Sequence, residues 1–205
     1  MTAPESDFET LIRNARNGDD TALGELLNHH RPWLRLLGRR GLGGKFAGRI
    51  DESDVAQQTF LSAVRGFEQF GGSTPNELAV WLQQIHERNL QDAVRKHATA
   101  QKRSVDREET FVEEEIPPLE LTSPSQRLML GERAVRLAAV MSQLPDDQQD
   151  AVRMRHLDGE TLESISQRPD RSERAVAGLL YRGLTNLRKA LADESKKADG
   201  NETGK

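Results

Sequence analysis

Five apolar residues in the last third of the chain, Val176, Leu180, Leu184, Leu187 and Leu191, are separated by steps of four, four, three and four. That spacing lines one side of an α-helix and scatters over both faces of a strand, so it predicts one long amphipathic helix. Upstream, residues 146–158 carry Ala151, Val152, Met154 and Leu157 in a second helical segment, and Gly159 follows as a C-terminal stop signal. Thr161 is placed to cap a short helix whose inward residues are Leu162 and Ile165. Pro169 ends it by disfavouring helical geometry at Arg168 and removing a backbone donor. Asp170 and Glu173 have the spacing of a capping box for the long helix, with Ser172 as the rival cap. The expectation is a helix, a short helix, a tight turn and a long helix.

The rest of the chain repeats this grammar. Phe8, Leu11, Ile12 and Ala15 form one stripe, and Leu23, Leu26, Leu27, His30, Leu34 and Leu37 form a second. Pro32 is expected to kink or split that second helix, and residues 41–44 to end it in a flexible connection. Residues 51–70 give a third stripe through Val55, Thr59, Phe60, Ala63, Val64, Phe67 and Phe70, followed by a turn over 71–75. A fourth helix begins near Asn76 with Leu78, Leu82 and Ile85 inward, and its stripe continues through polar Asn89 and Asp92. Trp81, beside Leu78 and Leu82, fits a core position better than a stacking platform. Aromatic residues are 4% of the chain and alternation of apolar and polar residues is almost absent, so the fold class is all-α.

With 205 residues, 35% hydrophobic and 30% charged, the chain can bury two small cores. Residues 1–104 form a first helical domain and residues 126–192 a second. Residues 105–125 are read as a flexible linker, because Glu108, Glu109 and residues 113–115 supply acid while Pro117, Pro118 and Pro124 block a long helix. Residues 193–205 are expected to be a frayed, disordered tail. The chain has no cysteine, no apolar run long enough to span a bilayer and no secretory signal in its polar first residues, so a cytoplasmic protein without membrane insertion is expected.

Charge is segregated. The whole chain has a formal charge of −4, yet residues 168–189 hold six basic side chains against Asp170 and Glu173, a local balance of plus four. A basic face on a helix-turn-helix is the electrostatic footprint of phosphate contact. A basic hairpin that packs on a partner protein would carry the same charge. Neither metal nor cofactor is expected: the run 113–115 has no histidine near it, and His86-Glu87 lacks the second histidine of a zinc helix because Leu90 fills its place. No phosphate loop, cysteine nucleophile or serine elbow is present, so no catalysis is expected.

Taken together these residues resemble a bacterial RNA polymerase sigma factor of the small, two-domain extracytoplasmic-function (ECF) type. The second domain is similar to sigma region four through Leu144-Pro145, the run 152–157 before Asp158-Gly159, and Arg174-Ala175-Val176 through Leu187-Arg188. The first is similar to region two through Asp51, Asp54, Gln57, Phe60, Phe70-Gly71-Gly72, Trp81-Leu82, Ile85, Arg88, Asn89, Asp92 and Arg95. Two departures stand out. Pro169-Asp170 fills a turn where a Leu-Gly-like pair is frequent, and Ser166 sits where a small alanine often packs.

The resemblance implies a non-enzymatic role in transcription initiation, with core RNA polymerase and promoter DNA, duplex and melted, as partners. Asp51, Asp54, Gln57 and Gln58 would be the edge that docks on core polymerase; a solvated helix face would look the same. Ser73, Thr74 and Asn76, with glycines beside them, would receive a base flipped from the non-template strand, close to Asn89. Arg88, Arg95 and Lys96 would grip phosphates of the downstream element. Arg171, Ser172, Arg174, Ala177, Tyr181 and Arg182 would read the upstream element in the major groove. The linker would thread the RNA channel, unless it is a plain spacer. An anti-sigma factor covering the two DNA-binding faces is common for such proteins, although no residue here points to one. A helix-turn-helix regulator acting without polymerase docking, and a helical adaptor that does not touch DNA, are the alternative readings.

Overall fold

In the computed structural model, residues 5–46, 48–105, 124–167 and 171–200 are described, and every regular element among them is a helix. The linker residues 106–123, the turn residues Pro169 and Asp170, and the tail residues 201–205 lie outside the described residues. The chain divides into two compact units, Glu5–Val135 and a second that holds Arg136–Lys205.

The first unit contains α1 (Glu5–Arg16), α2 (Asp20–Phe46), α3 (Glu52–Gly66), a 3-10 turn at Phe67–Gln69, and α4 (Pro75–Val105). Gly18, at φ +90°, turns the chain between α1 and α2 in a conformation that favours glycine. Asp19 then starts α2 by accepting from the backbone of Thr21 and Ala22 at 2.9 and 3.1 Å. Phe8, Ile12 and Ala15 of α1 are buried, and α2 packs on α1, α3 and α4.

That central position corrects the expected break in α2. The helix runs unbroken from Asp20 to Phe46 with Pro32 inside it. A proline in a helix costs about 3 kcal/mol. Leu26, Leu27, Trp33 and Leu34 on either side are all buried, and each contributes ~1.5–3 kcal/mol by leaving water. Beyond the proline, Leu42 is buried against Val55, Leu90 and Val94, with Phe46 packed alongside, and this carries the helix through its glycines.

The inward stripe of α4 also differs from expectation. Leu78, Leu82, His86, Leu90 and Val94 form it at steps of four, whereas Ile85 and Asn89 are half-buried and Asp92 is exposed. His86 can join an apolar stripe because Thr59 of α3 satisfies it. The Thr59 hydroxyl donates to the Val55 carbonyl at 2.8 Å, leaving its oxygen to accept from His86 Nδ1 at 2.9 Å. Burial lowers the His86 pKa to about 4, so the ring is neutral.

The second unit is built on α5 (Pro124–Met141), within which the boundary between units falls, then α6 (Asp146–His156), α7 (Leu162–Gln167) and α8 (Glu173–Gly200). Its stop and start signals are local and were legible: Gly159 has φ +74°, and Thr161 Oγ1 accepts from Ser164 N at 3.1 Å. Ser172 caps α8, accepting from Ala175 N at 3.3 Å. Met141, Val152, Ile165, Val176, Leu180 and Leu187 are among the buried core residues, with Leu162, Leu184 and Leu191 packed against them. The helices α6 and α8 pack tightly at Gly183, where a Cβ would stand 2.8 Å from Val152 Cγ2 and 3.3 Å from the Gln148 carbonyl. Contrary to the expected frayed tail, α8 continues to Gly200, through a run of mostly good helix formers.

Candidate functional site

Three surfaces gather most of the residues singled out by sequence. The first is the loop between the 3-10 turn and α4. Phe70 is buried, with its ring 5.2 Å from that of Trp81 and 5.7 Å from that of Phe67. Trp81, expected in the core, is half-buried and forms one of the three rings of an aromatic anchor. Gly72 is sterically required: a Cβ there would lie 2.7 Å from both the Phe70 ring and Glu77 Cβ. Thr74 and Glu77 form a capping box. The Glu77 carboxylate accepts from Ser73 N at 2.8 Å, Thr74 N at 3.0 Å and Thr74 Oγ1 at 2.9 Å, while Glu77 N donates to Thr74 Oγ1. These bonds, the Ser73 amide first, hold the carboxyl below the usual glutamate range.

The Thr74 hydroxyl, expected to meet a base, is thus committed to the cap. Ser73 stays exposed, and Asn76 is half-buried in the first turn of α4. Asn89, expected beside this loop, lies thirteen residues further along the helix, about 20 Å at 1.5 Å per residue. Its Nδ2 faces α3 instead, 3.4 Å from both Thr59 Oγ1 and Ser62 Oγ. Arg16 of α1, which sequence reasoning missed, reaches the loop. Its Nη2 donates to the carbonyls of Phe70, at 3.2 Å, and Gly72.

The second surface is the outer face of α3. Asp51 proves to be its N-cap, with the carboxylate accepting from Ser53 N at 2.7 Å, a local role. Asp54, Gln57 and Gln58 are exposed as expected. Leu61 and Val64 share their face and are 44% and 52% exposed, although Val64 was expected in the core. Because α3 packs on both α2 and α4, the buried arc is fixed by Val55, Ala56, Thr59, Phe60 and Ala63, which leaves Leu61 and Val64 outside it. Arg31 of α2 borders the face, with its guanidinium 4.5 Å from the Phe60 ring centroid and Nη1 3.4 Å from Gln57 Oε1. Glu52, at the inner edge, is pushed up by burial, but bonds from Arg39 and Arg35 outweigh this and hold it below the usual range.

The third surface belongs to α8. Arg174, Ala177, Tyr181 and Arg182 are exposed along its first turns, and Tyr181 is 75% exposed. The Arg182 guanidinium folds back beside Gly178, where a Cβ would meet Nη1 at 3.4 Å. Two neighbours have structural partners. Ser172 is the cap described above, and Arg171 pairs with Asp147 of α6 at 2.8 Å, bracing the start of α8. From the middle of α4 onward, Arg88, Arg95 and Lys96 are exposed, with Arg95 3.8 Å from Asp92. No group of three or more metal-ligating side chains occurs among the described residues, and no helix among them is long and apolar enough to cross a membrane.

The chain is similar to known proteins over most of its length. A family model described as ECF sigma factor matches residues 5–197. The ECF RNA polymerase sigma-E factor of Haemophilus influenzae (strain ATCC 51907 / DSM 11121 / KW20 / Rd) is 23% identical over 180 residues, 85% of this chain and 89% of that protein. Among solved structures, a chain of the RsbN-BldN complex is 20% identical, with 87% of this chain and 97% of that chain covered and a TM-score of 0.33. CnrH in complex with the cytosolic domain of CnrY is 19% identical, with 90% and 97% covered and a TM-score of 0.33.

Proposed function

Since the chain belongs to the ECF sigma factor family, we propose that it binds bacterial core RNA polymerase, recognises promoter DNA through both units and promotes melting of the start region. The polymerase chemistry stays with core enzyme; this chain contributes binding free energy. The observation that carries the proposal is the placement of exposed apolar side chains. Among the described residues, the exposed large hydrophobic side chains are Leu61, Val64 and Tyr181. Two of these sit together on the outer face of α3 beside Asp54, Gln57 and Gln58, where a helix of the polymerase would cover them. The third stands on the basic face of α8 between Arg174 and Arg182, where a phenol ring can touch base edges while the guanidinium groups meet phosphates or guanine.

The remaining roles follow from position. Ser73, on the loop held by the Thr74–Glu77 cap, and Asn76, in the first turn of α4, would receive one flipped base, and extruding it costs about a few kcal/mol that these contacts must return. Arg88, Arg95 and Lys96 continue as a positive edge suited to the phosphates of the same strand. An anti-sigma partner would act by covering the two DNA-binding faces, at the loop before α4 and on α8.

The test is strand opening. Purified protein is mixed with core polymerase and a library of promoter fragments, and transcription starts and permanganate-reactive thymines are mapped with and without it. New starts with local melting, dependent on both components, are expected. Duplex binding by the protein alone, with no polymerase-dependent melting, would move the chain to ordinary helix-turn-helix regulation. Polymerase binding with no DNA contact would make it an adaptor.

A further inference from the structure

The loop after the 3-10 turn is held from two sides by different helices. On its amide side, Glu77 of α4 takes the hydrogens of Ser73 N and Thr74 N. On its carbonyl side, one nitrogen of Arg16 donates to both Phe70 O and Gly72 O. The same guanidinium lies 5.8 Å from the Phe70 ring centroid, on a ring already packed against Phe67 and Trp81. Arg16 and the loop are more than fifty residues apart, so this contact is a feature of the tertiary fold. Its chemistry is specific: a planar guanidinium can bond two carbonyls and lie along an aromatic ring together, which an ammonium does less well.

We infer that Arg16 is a positioning residue for base capture, setting the backbone of residues 70–73 in the shape that receives a flipped non-template base. The inference rests on the capture role proposed above for this loop. Arg16 sits at the exposed end of α1, and Phe70 remains anchored by Phe67 and Trp81 without it. Removing the guanidinium therefore loosens the loop while the core under it persists. A strand-opening protein gains from such a clamp because a loop already in its bound conformation loses less entropy when the base enters.

The experiment uses the full chain with core polymerase and a promoter on which it is active. Open complexes are measured for the wild type, Arg16→Ala and Arg16→Lys, first on the intact promoter and then with an abasic site placed in turn at each non-template position of the melted segment. Core affinity and thermal unfolding of each variant are recorded alongside. Wild type is expected to lose opening when the captured base is removed. Arg16→Ala is expected to lose about tenfold on intact DNA, on the scale of one charge-assisted hydrogen bond, and to lose almost nothing further at that abasic position. Arg16→Lys should fall between them, with core affinity unchanged. A general structural defect would lower opening without removing the sensitivity to the abasic site. If Arg16→Lys and Arg16→Ala open DNA normally, or respond to the missing base as strongly as wild type, the positioning role is overturned. If wild type itself is indifferent at every abasic position, the capture reading of the loop fails, and this inference with it.

Discussion

Acid should destabilise the first unit between pH 6.5 and 4, because two histidines are buried neutral in its core. His30 is 2% exposed on α2, with Nδ1 2.7 Å from the Leu26 carbonyl and the rings of Phe8 and Trp33 around it. His86 is 1% exposed on α4. Burial lowers both to a pKa of about 4 from the ordinary 6.5; for His30 the Leu26 bond partly opposes this and His29 adds to it. Protonating His86 would also create an Nε2 hydrogen in a buried position where that atom has no hydrogen-bond partner. Since the folded values lie below the unfolded ones, the unfolded chain binds more protons between pH 6.5 and 4. Stability is therefore fully present above 6.5 and lost as pH falls toward 4. From pH 7 to pH 5 each histidine should remove about 2 kcal/mol, roughly 4 kcal/mol together, a large part of the 5–15 kcal/mol typical of a domain. Glu52 and Glu77, held below the usual glutamate range, add their losses only at lower pH. Both tryptophans, Trp33 and Trp81, lie in this unit, so urea titrations followed by tryptophan fluorescence report it alone. His86→Gln should remove about half of the pH dependence, and adding His30→Gln most of the rest. A wild-type stability that is flat from pH 7 to 5, or a slope unchanged in the double variant, would refute the reasoning.

Three further outcomes are expected. Gly183→Ala places a methyl 2.8 Å from Val152 Cγ2; overpacking of about 1–3 kcal/mol outweighs the ~1 kcal/mol gained in helix propensity, and hydrogen exchange of α6 and α8 amides should accelerate accordingly. Thr59→Val leaves His86 Nδ1 without its acceptor and removes an Asn89 contact, so the urea midpoint of the first unit should fall by the equivalent of about 1–3 kcal/mol. Leu61→Asp with Val64→Asp changes only exposed positions and should leave stability within roughly 0.5 kcal/mol per site, while core-polymerase affinity measured by competition drops at least about tenfold; equal affinity would detach α3 from docking.

The candidate surfaces were only partly legible in the sequence. Exposed Arg174, Ala177, Tyr181 and Arg182 could be read from their place opposite the stripe of Val176, Leu180 and Leu187. Four other assignments changed character once neighbours were known. Asp51, Thr74 and Ser172 are caps, and Asn89 bonds α3. A short polar side chain before a helix carries the same letter whether it binds the backbone or a ligand, so its identity alone leaves both uses open.

The set of helices and most of their ends follow from local signals, because spacing, glycine stops such as Gly159 and caps such as Thr161 act over a few residues. Other features arise from packing between residues far apart in the chain. Packing on three neighbours keeps α2 unbroken through Pro32 and Gly41. Thr59 admits a histidine to the α4 core. The competition for space around α3 turns Leu61 and Val64 outward. Arg16 reaches Phe70 and Gly72 only because α1 and the loop are brought to one edge of the bundle. Local periodicity fixes which residues share a face, but which face is buried, and what waits there, depends on the elements that the rest of the chain supplies.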